Sequence, residues 1–139
     1  MKTEFIVIIA VAILALVSLG FLFTSGDDSQ STTESLNWNT DLNSALTTAK
    51  NTNKLVLVDV YAPWCGYCKE MDKNTFQNPK VQEKLSNYVL VKVNGDENPD
   101  FVMKYQIYGY PTVLILDPDG NIVKTVSGYQ EPDDFINML

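Results

Sequence analysis

"VDVYAPWCGYCKEMD", residues Val58–Asp72, holds the only two cysteines of the chain, spaced Cys-x-x-Cys directly after an apolar run. That run, "KLVLVDVYA" from Lys54, lacks polar alternation, the pattern of a strand buried on both faces of a sheet. "PWCGYC" then reads as an exposed turn at a helix start. Three chemistries compete for Cys65 and Cys68. A self-contained zinc site wants four ligands, such as a second Cys-x-x-Cys or paired histidines, and the chain offers neither. A metal shared between chains has no positive support. A purely structural disulfide over so short a loop removes little entropy from the unfolded chain. A redox pair has a mechanism. Unsatisfied amides in the first helical turn favour a thiolate at Cys65. Cys68, three residues on, lies on the same helical face and can resolve a mixed disulfide. Gly66 is expected to let the chain turn tightly between them.

Outward from this stretch the pattern alternates. Asp41–Lys50 has helical apolar spacing, with Thr40 or Asp41 as N-cap. Cys65–Leu85 reads as a helix interrupted near Asn78-Pro79. "YVLVKVN" from Tyr88 is a second strand, and Pro99–Tyr105 a short helix. "TVLILD" and "NIVKTVS" form a hairpin about Pro118-Asp119-Gly120. Asp133 or Asp134 is expected to cap a final helix running to Leu139. The first two strands, joined through a helix, should be parallel and the last pair antiparallel, giving a mixed sheet covered by helices.

The chain has 139 residues, a net charge of −7, no histidine and no arginine. This balance excludes nucleic acid as a partner, which calls for a basic face. Phe5–Phe23 is an uncharged apolar stretch that would make a helix of roughly 28 Å, close to the hydrocarbon thickness of a bilayer. Residues 1–23 are therefore read as an uncleaved membrane anchor. A cleaved signal peptide is the competing reading, since Ser18-Leu19-Gly20 offers a small-x-small site, but signal peptides have shorter apolar regions. Lys2 precedes the span and Asp27, Asp28 and Glu34 follow it, which directs the C-terminal part outside the cytoplasm. Residues 24–35 are polar and acidic, the composition of a flexible linker, and residues 36–139 form the domain.

"LVDVYAPWCGYCK" resembles the active-site segment of the thioredoxin superfamily, and "VKVNGDENPDFVMKYQIYGYPTVLILDPDG" resembles its third strand, connecting helix and cis-proline loop. The resemblance covers about Trp38 to Leu139. "CKEMDKNTFQNPKVQEKL" is most similar to membrane-linked extracytoplasmic members, including the C-terminal domain of DsbD-type disulfide reductases. The resemblance implies an α/β three-layer sandwich with a central mixed sheet. It implies a thiol–disulfide oxidoreductase with no bound cofactor beyond the cysteine pair, acting on disulfide-containing or thiol proteins. A membrane electron donor is the implied partner.

The resemblance also gives roles to single residues, each with a plainer alternative. Asp59 is the proton acceptor for Cys68, or an ordinary strand acid. Its apolar neighbours suggest burial and a raised pKa. Lys92 is that acid's neighbour, or a solvated strand residue. Pro111 matches the cis-proline position, facing the cysteines and presenting backbone to an extended client. Trp64 is an apolar rim beside the nucleophile, or core. Gly66, Tyr67 and Tyr110 border the client groove. Tyr108, Tyr110 and Tyr129 are aromatic neighbours or plain packing, and Gly128 is an open groove edge or a simple turn. Glu70 and Asp72 oppose a thiolate, and no histidine separates the cysteines, so the pair leans toward a reductant or mild exchanger. An oxidase or isomerase, and a non-catalytic binding or chaperone module on the same groove, remain the rival functions.

Overall fold

The structure is a computed structural model that describes residues 36–139. The anchor and linker readings lie outside the described residues. Among the described residues no helix is long and apolar enough to cross a membrane. The elements run β1 (Trp38–Asn39), α1 (Leu42–Thr52), β2 (Leu55–Tyr61), α2 (Gly66–Glu70), a π-helical turn (Met71–Thr75), α3 (Pro79–Leu85), β3 (Tyr88–Asn94), α4 (Pro99–Lys104), β4 (Thr112–Leu116), β5 (Ile122–Ser127) and α5 (Pro132–Met138).

The five strands form one sheet in the order β1-β3-β2-β4-β5. β3 is parallel to both β1 and β2, whereas β4 is antiparallel to β2 and to β5. This is the mixed sheet expected from the connections. The central strand β2 is buried at every position but its ends, because helices cover both faces. Strand side chains alternate between faces, so Val56, Val58 and Val60 pack with Ala45 and Ala49 of α1. Leu57 points the other way, into a cluster with Met71, Phe76, Val81, Leu85 and Phe135. Burying a side chain of this size contributes about 1.5–3 kcal/mol. Asp59 shares the parity of Leu57, and Lys92 that of Leu90 of the same cluster. Both therefore lie on the face that carries α2 and the π turn.

The helix ends show where side-chain chemistry decided. Asp41 is the N-cap of α1, accepting from Asn43 N at 3.0 Å, and Asn53 ends the helix in the left-handed region at φ 54°. The long helix expected over Cys65–Leu85 is broken twice. The π turn interrupts it first, then Asn78 caps a fresh helix with Pro79 in its first turn. Asn78 Oδ1 accepts from Lys80 N at 3.0 Å and Val81 N at 3.4 Å. Asn78→Ala should therefore cost about 1 kcal/mol, read as a lower urea midpoint with unchanged m-value. The expected cap of the last helix is corrected. Glu131 is the N-cap residue and Pro132 opens α5, so Asp133 and Asp134 fall within the first turn.

The β4–β5 turn forms as expected. Asp117 collects the amides of Asp119 and Asn121 at 2.9 Å each, and Gly120 takes φ 85°, a conformation that favours glycine.

Candidate active site

β2 delivers the chain to the site. After Tyr61 the backbone turns through residues 62–65, with Cys65 N donating to Ala62 O at 3.1 Å. Cys65 is the N-cap residue of α2, in extended conformation, and its Sγ accepts the Cys68 N–H at 3.1 Å. Cys65 and Cys68 are bridged as a disulfide, with their Cα atoms 5.3 Å apart. A discrete amide thus points at the Cys65 sulfur, the contact that would steady a thiolate there.

Two expectations about this turn are corrected. The cysteines are not exposed. Both are about 5% accessible, packed with Ala62 and flanked by Tyr61 and Tyr110, while the residues around them stand in solvent. Nor does Gly66 make a tight turn. It begins α2, outside the left-handed region, and a Cβ there would meet open space.

Asp59 is 3% exposed, on the strand that leads to Cys65. Lys92 faces it across the parallel pair, with Nζ 3.5 Å from Asp59 Oδ2. Burial pushes the Asp59 carboxyl up to about 7; Lys92 opposes the rise and Asp72 adds to it. Asp59 is thus poised to gain or lose a proton near neutral pH.

The closer carboxylate partner of Lys92 is Asp72, on the π turn, which forms a salt bridge with it. The ammonium also lies over Trp38, Tyr61 and Phe76 at 5.2–5.8 Å from the ring centroids. The Asp72 charge expected to oppose a thiolate is therefore largely engaged with Lys92.

Around the cysteines stand exposed aromatics. Trp64 is 69% exposed, so it is rim and not core; its indole Nε1 donates to Asp96 Oδ2 at 2.9 Å, and its ring meets Tyr110 edge-on at 6.0 Å. Tyr67 pairs with Tyr129 at 6.2 Å between centroids. Thr75 Oγ1 donates to Gln130 O at 2.6 Å, tying the π turn to the segment that carries Tyr129. The Tyr110–Pro111 peptide is cis. Gly128, at φ 82°, donates its N–H to Pro111 O at 2.8 Å, and a Cβ there would meet nothing within 4 Å. The Pro111 carbonyl is thus already engaged. A groove of about 330 Å³ runs along Tyr108, Tyr110, Pro111, Ser127 and Gly128. Neither cysteine lines it, and Tyr108 is almost wholly exposed.

Sequence reasoning missed Asp96 as the partner of Trp64, and missed that Asp72 binds Lys92. Both contacts join segments 20 or more residues apart, and no local pattern announces them. Among the described residues no three His, Cys, Asp or Glu side chains gather as a metal site would require.

Residues 42–139 match the family model described as a thioredoxin-like domain. The chain is 36% identical over 99 residues to the thiol:disulfide interchange protein DsbD of Haemophilus influenzae (strain PittEE), covering 67% of this chain and 17% of that protein. The corresponding protein of Yersinia pestis (strain Pestoides F) is 36% identical over 97 residues, covering 66% of this chain and 16% of the relative. The chain thus spans about a sixth of the length of these relatives. Among solved structures, a thioredoxin from Thermus thermophilus superposes with TM-score 0.67 at 27% identity, over 74% of this chain and 83% of that one. The oxidised C-terminal domain of Neisseria meningitidis DsbD superposes with TM-score 0.60 at 28% identity, over 73% and 95%. With its mixed sheet, its bridged cysteines at a helix start and this match over residues 42–139, the chain belongs to the thioredoxin-like domain family of thiol–disulfide oxidoreductases, with Cys65 and Cys68 as its CXXC pair.

Proposed function

We propose that the chain reduces protein disulfides outside the cytoplasm, as a domain of residues 36–139 held to the membrane by residues 1–23 through the linker 24–35. The observation that carries the exchange chemistry is a bridged CXXC at a helix start, with one buried carboxyl on the strand leading into it.

In the reduced protein the Cys65 thiolate attacks a client disulfide. The Cys65–client bond forms, and the displaced client sulfur leaves as a thiolate that takes up a proton. The Cys68 thiol then gives its proton to the Asp59 carboxylate and attacks the Cys65 sulfur. The Cys65–Cys68 bond forms and the client departs as a dithiol. The second client sulfur leaves as a thiolate and takes the proton now held by Asp59. The client has gained two electrons from the cysteine pair and two protons, one from solvent and one by way of Asp59. The protein is left in the bridged state described above. The dithiol carries the electrons itself, so no bound cofactor takes part. Turnover requires a reductant; a membrane electron donor fits the tethered arrangement. The Lys92–Asp72 bridge limits how fully Lys92 neutralises Asp59, which keeps the acid's proton affinity high. Pro111 and the aromatic rim of Trp64, Tyr67 and Tyr110 bind the client, with Gly128 leaving one groove edge open.

Direction is tested by equilibrating the chain with glutathione buffers. A potential close to the thioredoxin value, about −270 mV, is expected. A value near about −120 mV, that of a strong oxidant, would overturn the reductase direction and favour an oxidase or isomerase.

A further inference from the structure

The turn after β3, residues 94–98, holds both halves of the aromatic rim beside the cysteines. Gly95 N donates to Tyr61 O at 2.8 Å, fastening the turn to the end of β2. Asn94 closes it, accepting the Asp96 amide at 3.1 Å through Oδ1 and the Asn98 side chain at 2.9 Å through its carbonyl. From this fixed base Asp96 accepts the Trp64 indole N–H. An indole so exposed would otherwise rotate freely, and a hydrogen bond to a carboxylate is strong enough to orient it.

Gly95 acts on the other half of the rim. It is buried, and its backbone lies outside the left-handed region, so conformation does not demand glycine. Space does. A Cβ on Gly95 would fall 2.6 Å from Tyr110 Cε1 and closer still to the Tyr110 hydroxyl. The obstruction is the far end of a side chain, so a larger residue at 95 would displace the Tyr110 ring and leave the fold in place. Burial, and secondarily the Asp96 carboxylate, raise the pKa of the Tyr110 hydroxyl, consistent with a ring laid back against this turn. Trp64 and Tyr110 meet edge-on as a result.

We propose that the 94–98 turn positions the client-binding rim through Gly95, whose missing side chain makes room for Tyr110 to lie beside Trp64 and against the polypeptide that flanks a client disulfide. The proposal rests on the exchange reading above, and places Gly95 in client affinity and not in the exchange chemistry.

The test compares insulin, whose disulfides are flanked by polypeptide, with bis(2-hydroxyethyl) disulfide, which has no flank, using the full chain. Gly95→Ala is expected to raise KM for insulin about fivefold, the scale of one aromatic contact, with kcat and small-disulfide reduction unchanged. Tyr110→Ala should raise the insulin KM as well, and the double variant should match Tyr110→Ala alone. The proposal is overturned if Gly95→Ala adds its full factor in the Tyr110→Ala background, or slows both substrates equally. If the wild type reduces neither substrate, the exchange reading fails and the rim is judged by NMR. A Trp64 indole N–H resonance that moves in Gly95→Ala, while that of Trp38 stays, supports the positioning; an unmoved Trp64 resonance overturns it.

Discussion

Cys65→Ser is expected to bring insulin-disulfide reduction by the full chain down to the uncatalysed background, a loss of more than about a thousandfold. The attacking species is a thiolate, and a serine hydroxyl is not ionised near neutral pH. The only other cysteine, Cys68, donates its backbone amide to the Cys65 sulfur, so the contact that would steady a thiolate lies at position 65. Cys68→Ser should behave differently. It keeps the attack and blocks resolution, so it stalls after one event instead of losing reactivity. Insulin turbidity followed with each variant separates the two. If wild type and Cys65→Ser were equally inactive, a non-catalytic binding module would become the better account.

Asp59→Asn should have the second largest effect, with opposite consequences for rate and stability. In the wild type the resolving step is expected to rise with pH through about 7, as Asp59 ionises and can accept the Cys68 proton. In the Asn variant that inflection should vanish and the step slow by about a hundredfold at pH 8, measured by stopped-flow tryptophan fluorescence. Stability should move the other way. The folded pKa of Asp59 lies above its unfolded value of 3.8, because burial disfavours the charged form. The folded state therefore binds the extra proton, so this contribution is fully present below pH 3.8 and is lost as pH rises through 7. The loss is at most about 4 kcal/mol. Asp59→Asn escapes it. The variant should be more stable than wild type at pH 8 and close to it at pH 4, as read from urea midpoints. A variant destabilised at both pH values would show that the carboxylate is held for structure and not for proton transfer.

The sheet was legible because its strands are long apolar runs, and "KLVLVDVYA" announces double burial with no help from context. β1 was not foreseen. Two residues carry no periodicity, and the strand exists by tertiary pairing, with Asn39 Nδ2 donating to Leu90 O at 2.9 Å. The π turn was equally silent, since Met71–Thr75 has ordinary helical composition. At the site, Cys65, Cys68, Asp59 and Pro111 could be named from motif and resemblance. What governs their surroundings could not. Whether the cysteines are exposed depends on Tyr61, Ala62 and Tyr110 closing around them. Whether Lys92 serves Asp59 alone depends on the π turn bringing Asp72 onto the same ammonium. Gly95 carried no reading from the sequence, and only the ring lying over it gives its absent side chain a purpose.

The central claim is that Cys65 attacks and Cys68 resolves. Its most direct measurement is mass spectrometry of the reduced single-cysteine variants mixed with insulin at pH 7, with glutathione as a reference thiol. Cys68→Ser is predicted to form an insulin adduct through Cys65 well ahead of glutathione, released by dithiothreitol, while Cys65→Ser forms none on that timescale. An adduct that forms preferentially through Cys68, or at no more than the glutathione rate in both variants, would contradict the account.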